Sequence, residues 1–122
     1  MELIKIINAR KTLNSLADVS DVNAHLSYWM AKFIVKTENE HTFYASEMSK
    51  LFDKYGTESE AGSGNILIPA DKVQEFNDAV NALDETDVED PKIRFSLSEL
   101  STELKLSMKQ IYPLLDFIEE DK

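Results

Sequence analysis

A stripe of large apolar side chains at helical spacing is the sequence feature that most constrains the fold. The stripe recurs at spacings of three and four within residues 22–34 and again within residues 44–55, and neither Gly nor Pro occurs between residues 22 and 55. Its members are Val22, Leu26, Trp29, Met30, Phe33, Ile34, Tyr44, Met48, Leu51, Phe52 and Tyr55. The pattern predicts one long helix over about 21–55, ended by Gly56 in the left-handed conformation. The alternative is two helices that meet near Asn39, because residues 37–42 are polar.

Shorter periodic segments predict the remaining elements. Three Ile residues favour a short strand over 2–7, followed by a short helix that carries Leu13 and Leu16. Beyond the stripe, the pattern predicts, in order, a strand at 66–68, a helix at 70–84, a strand at 92–96 and a terminal pair of helices. Together they define an α+β fold that is mainly helical: one long helix packed by three or four shorter helices, with two or three short strands.

Length and composition indicate one domain over residues 1–122, with a flexible loop at 57–65 and an acidic connection at 84–91. The chain has no Cys, which excludes disulfides and thiolate zinc sites. No apolar run approaches the roughly 18 residues of a membrane span, and residues 1–7 do not resemble a signal peptide. We therefore expect a soluble cytoplasmic protein without a membrane partner.

Negative charge is concentrated in the second half of the chain. Residues 1–55 carry seven acids and seven bases, whereas residues 56–122 carry sixteen acids and six bases, which accounts for the net charge of −10. Such a surface repels phosphate backbones and attracts basic proteins, so direct nucleic-acid binding is not expected. An acidic patch is predicted from Asp84, Glu85, Asp87, Glu89, Asp90, Asp116, Glu119 and Glu120. Whether it mimics DNA to inhibit a nucleic-acid-binding host or defence protein, or is only solvated, stays open.

No residue pattern in the sequence predicts catalysis. His25 and His41 lie sixteen residues apart, which is roughly 24 Å along a continuous helix, too far to share a metal. The glycine-containing loop at 57–65 follows a helix and precedes a strand, the reverse of a phosphate-binding loop. We therefore predict no enzyme activity, no catalytic residues, no cofactor and no metal.

The C-terminal segment suggests a second alternative, a DNA-binding helix-turn-helix. Leu97, Leu100 and Leu104 define its first helix, and a second begins at Ser107 with Ile111, Leu114, Leu115 and Ile118 as its apolar face. Lys109, Gln110 and Tyr112 would then face DNA. Pro113 lies inside the second helix, where it either kinks the helix or marks its start, and terminal acids oppose phosphate binding.

The long apolar stripe itself predicts a protein-binding face. Aromatic and Met side chains are enriched at interfaces, and a stripe this long needs more cover than one 15-residue helix provides. The predicted binding residues are Trp29, Met30, Phe33, Tyr44, Met48, Phe52 and Tyr55. The expected partner is another protein or a second copy of the chain, which would make a homo-oligomer.

The order of elements also resembles a known family. The segments that carry the resemblance are Met30–Ile34, Lys54–Gly56, Ile66–Pro69, Val73–Phe76 and Asn81–Leu83, followed by an acidic segment and a Leu-rich helical pair. This layout is similar to small proteins of unassigned function encoded by phages and prophages of Gram-positive bacteria. The resemblance implies a phage accessory or assembly protein that acts by binding in the bacterial cytoplasm, and it transfers no catalytic residues.

Overall fold

The computed structural model describes residues 1–19, 22–58 and 66–119, which form a mainly helical α+β fold. Its α-helices are α1 Leu3–Ser15, α2 Ala24–Lys36, α3 Glu38–Tyr55, α4 Val73–Asp84, α5 Leu97–Glu103 and α6 Met108–Ile111, followed by the 3-10 helix η1 Tyr112–Phe117. Its strands are β1 Thr57–Glu58, β2 Ile66–Leu67, β3 Phe95–Ser96 and β4 Ile118–Glu119. Strands β1 and β2 pair antiparallel, whereas β3 and β4 pair in parallel with Phe95 opposite Ile118.

Helix α1 is the central element, so the strand expected over residues 2–7 is wrong. Leu3, Ile6, Ile7 and Leu13 recur at helical spacing and are all buried. Since α1 contacts α2, α3, α4 and η1, a helix buries these side chains on several neighbours at once, which outweighs the strand preference of Ile. Only Glu2 makes a bridge in this segment, to Asp87.

The single helix favoured for residues 21–55 is wrong: as the alternative expected, two helices meet near Asn39, with the break at Thr37. Arg10 of α1 donates from Nη1 to the Ile34 carbonyl at 2.6 Å and to Thr37 Oγ1 at 2.8 Å. Arg10 Nη2 reaches Glu38 at 3.0 Å. A continuous helix pairs the carbonyl of residue 34 with the amide of residue 38, so a buried arginine that binds this carbonyl favours a break here.

The end of α3 also differs from the sequence expectation. Gly56 has φ −90° and ψ 156°, which is extended backbone and not the left-handed cap. The chain passes directly from α3 into β1, so it needs no left-handed residue to reverse its direction.

Two apolar clusters form the core, one on each side of α1. The larger joins α1 and α2 to the C-terminal elements, and the Phe33 ring lies at its centre, 4.9 Å from Phe117 and 6.1 Å from Phe95 between centroids. The smaller contains Leu3, Ile7 and Leu83, covered by side chains of α3. α1 therefore contributes more buried side chains to the core than the predicted short strand would.

The C-terminal segment begins as predicted at Ser107. Ser107 and Gln110 form a reciprocal capping box, but α6 lasts only one turn before Pro113 enters the first turn of η1. A 3-10 helix repeats every three residues, so Leu114 and Phe117 are buried. Leu115, expected on the apolar face, is exposed instead.

Candidate functional site

An apolar groove runs between the C-terminal end of α1 and the length of α2. It contains about 580 Å³ of space, measured out to its open side. Most of its walls are aliphatic, and only two lining side chains are polar. The lining residues are Leu13, Asn14, Leu16, Ala17, Val19, Val22, Ser27, Met30, Ala31 and Ile34.

The start of α2 sets which of its sides faces the groove. Asn23 caps the helix, because its side chain accepts from the Leu26 amide at 2.8 Å, and it also donates to Glu103 of α5. Leu26 and Phe33 then enter the core. Helical geometry therefore turns the row from Ser27 to Ile34 toward α1 and leaves the opposite side of α2 in solvent.

Exposed side chains extend the groove wall on the solvent side of α2. Tyr28 and Val35 are exposed next to the groove-lining row, and Lys32 and Lys36 follow them around the helix. The Trp29 ring meets the Tyr28 ring edge-on, with centroids 5.3 Å apart. The margin of the groove is thus formed by Tyr28 and Val35, whereas Lys32 and Lys36 lie on the side of α2 that faces away from the lining row.

The two helices of the groove carry no Asp or Glu but five Lys or Arg residues. Arg10 is paired with Glu38, and Lys5 with Asp116. The other three bases have no ion pair within the described part of the chain: Lys11, Lys32 and Lys36. A protein of net charge −10 therefore keeps free positive charge on the outer sides of these two helices, while Asp18 lies between the lining residues Ala17 and Val19.

The seven residues predicted to bind protein do not form one face. Met30 lines the groove and Trp29 is exposed on the outer side of α2. Phe33 is fully buried, which corrects its assignment as a binding residue, because Phe95 and Phe117 enclose its ring.

The four predicted binding residues of α3 turn toward their own chain. Tyr44 and Met48 cover the smaller core cluster. Phe52 and Tyr55 lie 5.5 Å and 6.2 Å from the Phe76 ring of α4, although Phe52 remains partly exposed. Most of the stripe is covered by α1 and α4, so its length does not require a partner copy.

Tyr44 has a structural contact instead of a binding role. Its hydroxyl donates to Asp84 Oδ1 at 2.8 Å. Partial burial raises the pKa of Tyr44 to about 12, and the hydrogen bond to Asp84 and the charge of that carboxylate act in the same direction. The phenol therefore stays protonated at neutral pH and joins α3 to α4.

Much of the predicted acidic patch is paired locally. Asp84 accepts from Tyr44, Asp87 binds the N-terminal amine at 2.7 Å, Asp90 binds Arg94 at 2.6 Å and Asp116 lies 3.4 Å from Lys5. The hydrogen bond from the amine lowers the pKa of Asp87, and that from Arg94 lowers the pKa of Asp90. The patch is therefore not a row of free charges, which weakens the DNA-mimic alternative.

Four further acids belong to the predicted patch. Glu85, Glu89 and Glu119 are exposed, and these three carboxylates form no ion pair within the described ranges. Glu120 lies outside the described residues.

The helix-turn-helix alternative loses its reading helix. α6 has four residues and Gln110 is engaged in its capping box, while Lys109 and Tyr112 remain exposed. His25 Nδ1 lies 3.0 Å from both oxygens of Glu99 on the surface. Across residues 1–19, 22–58 and 66–119, no three His, Asp or Glu side chains gather as a metal site would require.

The sequence predicts no binding role for the wall that α1 and the segment after it supply. Leu16, Ala17 and Val19 follow Ser15, the last residue of α1, and they line the groove because this segment lies beside α2. The signal was available in the spacing of Leu13 and Leu16 with the isoleucines before them.

Comparison with protein-family models, with curated proteins and with solved structures found no match to this chain. None of the helices in the described ranges is both long and apolar enough to cross a bilayer. The interpretation of the groove therefore depends on its own chemistry.

Proposed function

We propose that this protein is a non-enzymatic binding protein whose groove between α1 and α2 docks an acidic amphipathic helix of another protein. One observation carries the proposal: α1 and α2 contain none of the 23 Asp and Glu residues, and Asp18 is the one described carboxylate between lining residues, in the segment that joins the two helices. An apolar floor selects an apolar helix face, and the free lysines on the outer sides of the two helices favour acidic flanks. Such a role suits the phage accessory or assembly protein that the resemblance implies.

The dimensions of the groove fit a short helical segment. On α2 the lining residues extend from Ser27 to Ile34, seven positions, which is roughly 10 Å or two helical turns. Two turns of a partner present two or three apolar side chains at spacings of three and four. Met30 adds an adaptable side chain at the middle of the floor.

The unpaired lysines on the outer side of α2 favour acidic partners over basic ones. Lys32 and Lys36 are solvent-exposed and unpaired within the described chain, so acidic partners gain attraction and basic partners lose it. Because exposed charges are screened over about 8–10 Å at physiological salt, the preference for acidic partners should weaken as salt increases.

The test uses a labelled synthetic peptide of about 15 residues with Leu along one helical face and Glu elsewhere, long enough to form helix on docking. Fluorescence anisotropy at low salt should show saturable binding. A matched peptide with Lys in place of every Glu should bind at least tenfold more weakly. Equal binding of both peptides, or binding of neither, would contradict the proposal.

A pair of variants locates the binding surface. Ala31 lines the groove and Ala82 lies on α4, and both are exposed helical alanines. Ala31→Glu should weaken binding of the acidic peptide at least tenfold, whereas Ala82→Glu, with the same change of charge, should leave it within about twofold. If the two variants behave alike, the peptide does not bind in the groove.

A further inference from the structure

A second apolar cavity, the α5 pocket, lies between α5, the segment after it, α6 and β4. It contains about 490 Å³ of space, measured out to its mouth, and small-molecule sites contain roughly 300–1,000 Å³. None of its lining residues belongs to the groove between α1 and α2. Six aliphatic side chains form its walls: Leu97, Leu100, Leu104, Leu106, Ile111 and Ile118.

The shortness of the surrounding elements explains why the pocket is open. Leu100 of α5 and Leu104 just after it are 2% and 4% exposed, and the backbone becomes extended at Leu104. α6 then lasts only one turn, so Ile111 is half-buried. β4 places Ile118 opposite Phe95, just before the start of α5. The pocket therefore has a buried leucine floor and a rim of half-buried aliphatic side chains.

One charged side chain lines the α5 pocket. Lys105 is exposed and has no ion pair within the described part of the chain. Ser101 is the other polar lining residue, but its hydroxyl donates to the Leu97 carbonyl at 2.8 Å. The ammonium group of Lys105 is therefore the cationic donor that a ligand in the pocket can reach.

The neighbouring carboxylates are directed away from the pocket by their own contacts. Glu99 and Glu103 contact the start of α2, on the side of α5 that faces away from the pocket leucines. Glu119 alternates with Ile118 in β4, so its side chain lies on the other face of the strand, and its charge acts on Arg94. The mouth of the pocket is therefore positive, although the net charge of the protein is −10.

An apolar interior with one ammonium group at its mouth is complementary to a hydrocarbon chain that ends in a single negative charge. We propose that the α5 pocket binds a medium-chain aliphatic carboxylate, with its hydrocarbon among the leucine and isoleucine side chains and its carboxylate beside Lys105. The ten non-hydrogen atoms of octanoate occupy roughly 300 Å³, if each takes about the volume of a water molecule in the liquid. Octanoate therefore fills most of the pocket. This site is independent of the proposed function of the groove.

The hydrocarbon and the charge contribute separately to binding. Burial of each methylene group should tighten binding about fourfold, so octanoate should bind roughly tenfold more tightly than hexanoate. An ion pair with an exposed lysine contributes less. Lys105→Gln should therefore weaken octanoate binding about two- to fivefold and leave the binding of uncharged 1-hexanol unchanged.

A proton–nitrogen NMR titration of the full chain at low salt tests the proposal, with hexanoate, octanoate and 1-hexanol as probes. Saturable shifts should concentrate on the amides of residues 97–106, 111 and 118. Lys109→Gln is the matched control for Lys105→Gln, because Lys109 is also exposed but does not line the pocket. This control should bind octanoate within about 1.5-fold of the unmodified chain.

A second pair of variants blocks the pocket without changing its floor. Ser101 and Thr102 are adjacent exposed residues of α5, and of the two only Ser101 lines the pocket. Ser101→Trp should weaken octanoate binding at least tenfold, whereas Thr102→Trp should leave it within about twofold.

Four results would each overturn the proposal: no saturable binding of octanoate, equal affinity for hexanoate and octanoate, equal effects of Ser101→Trp and Thr102→Trp, or equal effects of Lys105→Gln on octanoate and 1-hexanol. Octanoate binding that is lost in Ala31→Glu but kept in Ser101→Trp would overturn it as well, since it would place the ligand in the groove.

Discussion

Replacing Arg10 with Met should destabilise the protein by disconnecting α1 from the junction of α2 and α3. Arg10 is only 5% exposed, and its guanidinium binds the Ile34 carbonyl, Thr37 Oγ1 and Glu38. Met preserves most of the apolar stem but donates no hydrogen bond. The Ile34 carbonyl then loses its donor in a partly buried position.

The magnitude follows from which partners are buried. Hydrogen bonds from a charged donor contribute about 1.5–3 kcal/mol each, and removing the desolvation cost of the guanidinium offsets part of the loss. Glu38 is 59% exposed, so water can replace its ion pair and it adds little. We therefore expect Arg10→Met to lower the free energy of unfolding by about 2–4 kcal/mol.

Urea unfolding followed by far-UV circular dichroism measures this change as a midpoint lowered by roughly 1–2 M. Two companion variants rank the contacts. Thr37→Val removes a buried hydroxyl that also donates to the Phe33 carbonyl at 2.7 Å and should cost about 1–2 kcal/mol. Glu38→Gln should cost less than about 1 kcal/mol. If Arg10→Met stays within about 0.5 kcal/mol of the unmodified protein, or Glu38→Gln costs as much, the junction is not held as described.

Two further predictions concern titrating side chains. Tyr44→Phe should lower the free energy of unfolding by about 1 kcal/mol at neutral pH. Because the pKa of Tyr44 is raised to about 12, its stabilising contact with Asp84 is present below pH 10 and is lost as the pH rises toward 12. Absorbance at 295 nm should show one of the four tyrosines ionising late, and its absence would refute this contact. The hydrogen bond from Arg94 lowers the pKa of Asp90 below its ordinary value of 3.8. The Asp90–Arg94 pair therefore stabilises the fold above pH 3.8, and this contribution is lost as the pH falls through the lowered pKa. Carboxyl-carbon NMR should show a higher pKa for Asp90 in Arg94→Gln, still lowered by the hydrogen bond from the Lys92 amide; an ordinary pKa before the substitution would contradict the pair.

The elements that the sequence predicted well are those whose patterns are local. The strand expected at 66–68 appears at Ile66–Leu67, and the helix expected at 70–84 appears at Val73–Asp84. Ser107 starts α6 because its capping box involves residues only three positions apart. The mainly helical α+β class followed from these periodic segments.

The errors arise where a distant residue decides the local structure. No Gly or Pro marks the break at Thr37. The break depends instead on Arg10, 27 positions earlier in the sequence, which donates a hydrogen bond to the Thr37 hydroxyl. Arg10 also interrupts the apolar periodicity of α1, so the sequence pattern does not indicate one continuous helix there. In the structure Arg10 is buried with the apolar residues of that helix. Arg10 therefore fixes the position of the break, which the polar residues 37–42 indicate only approximately.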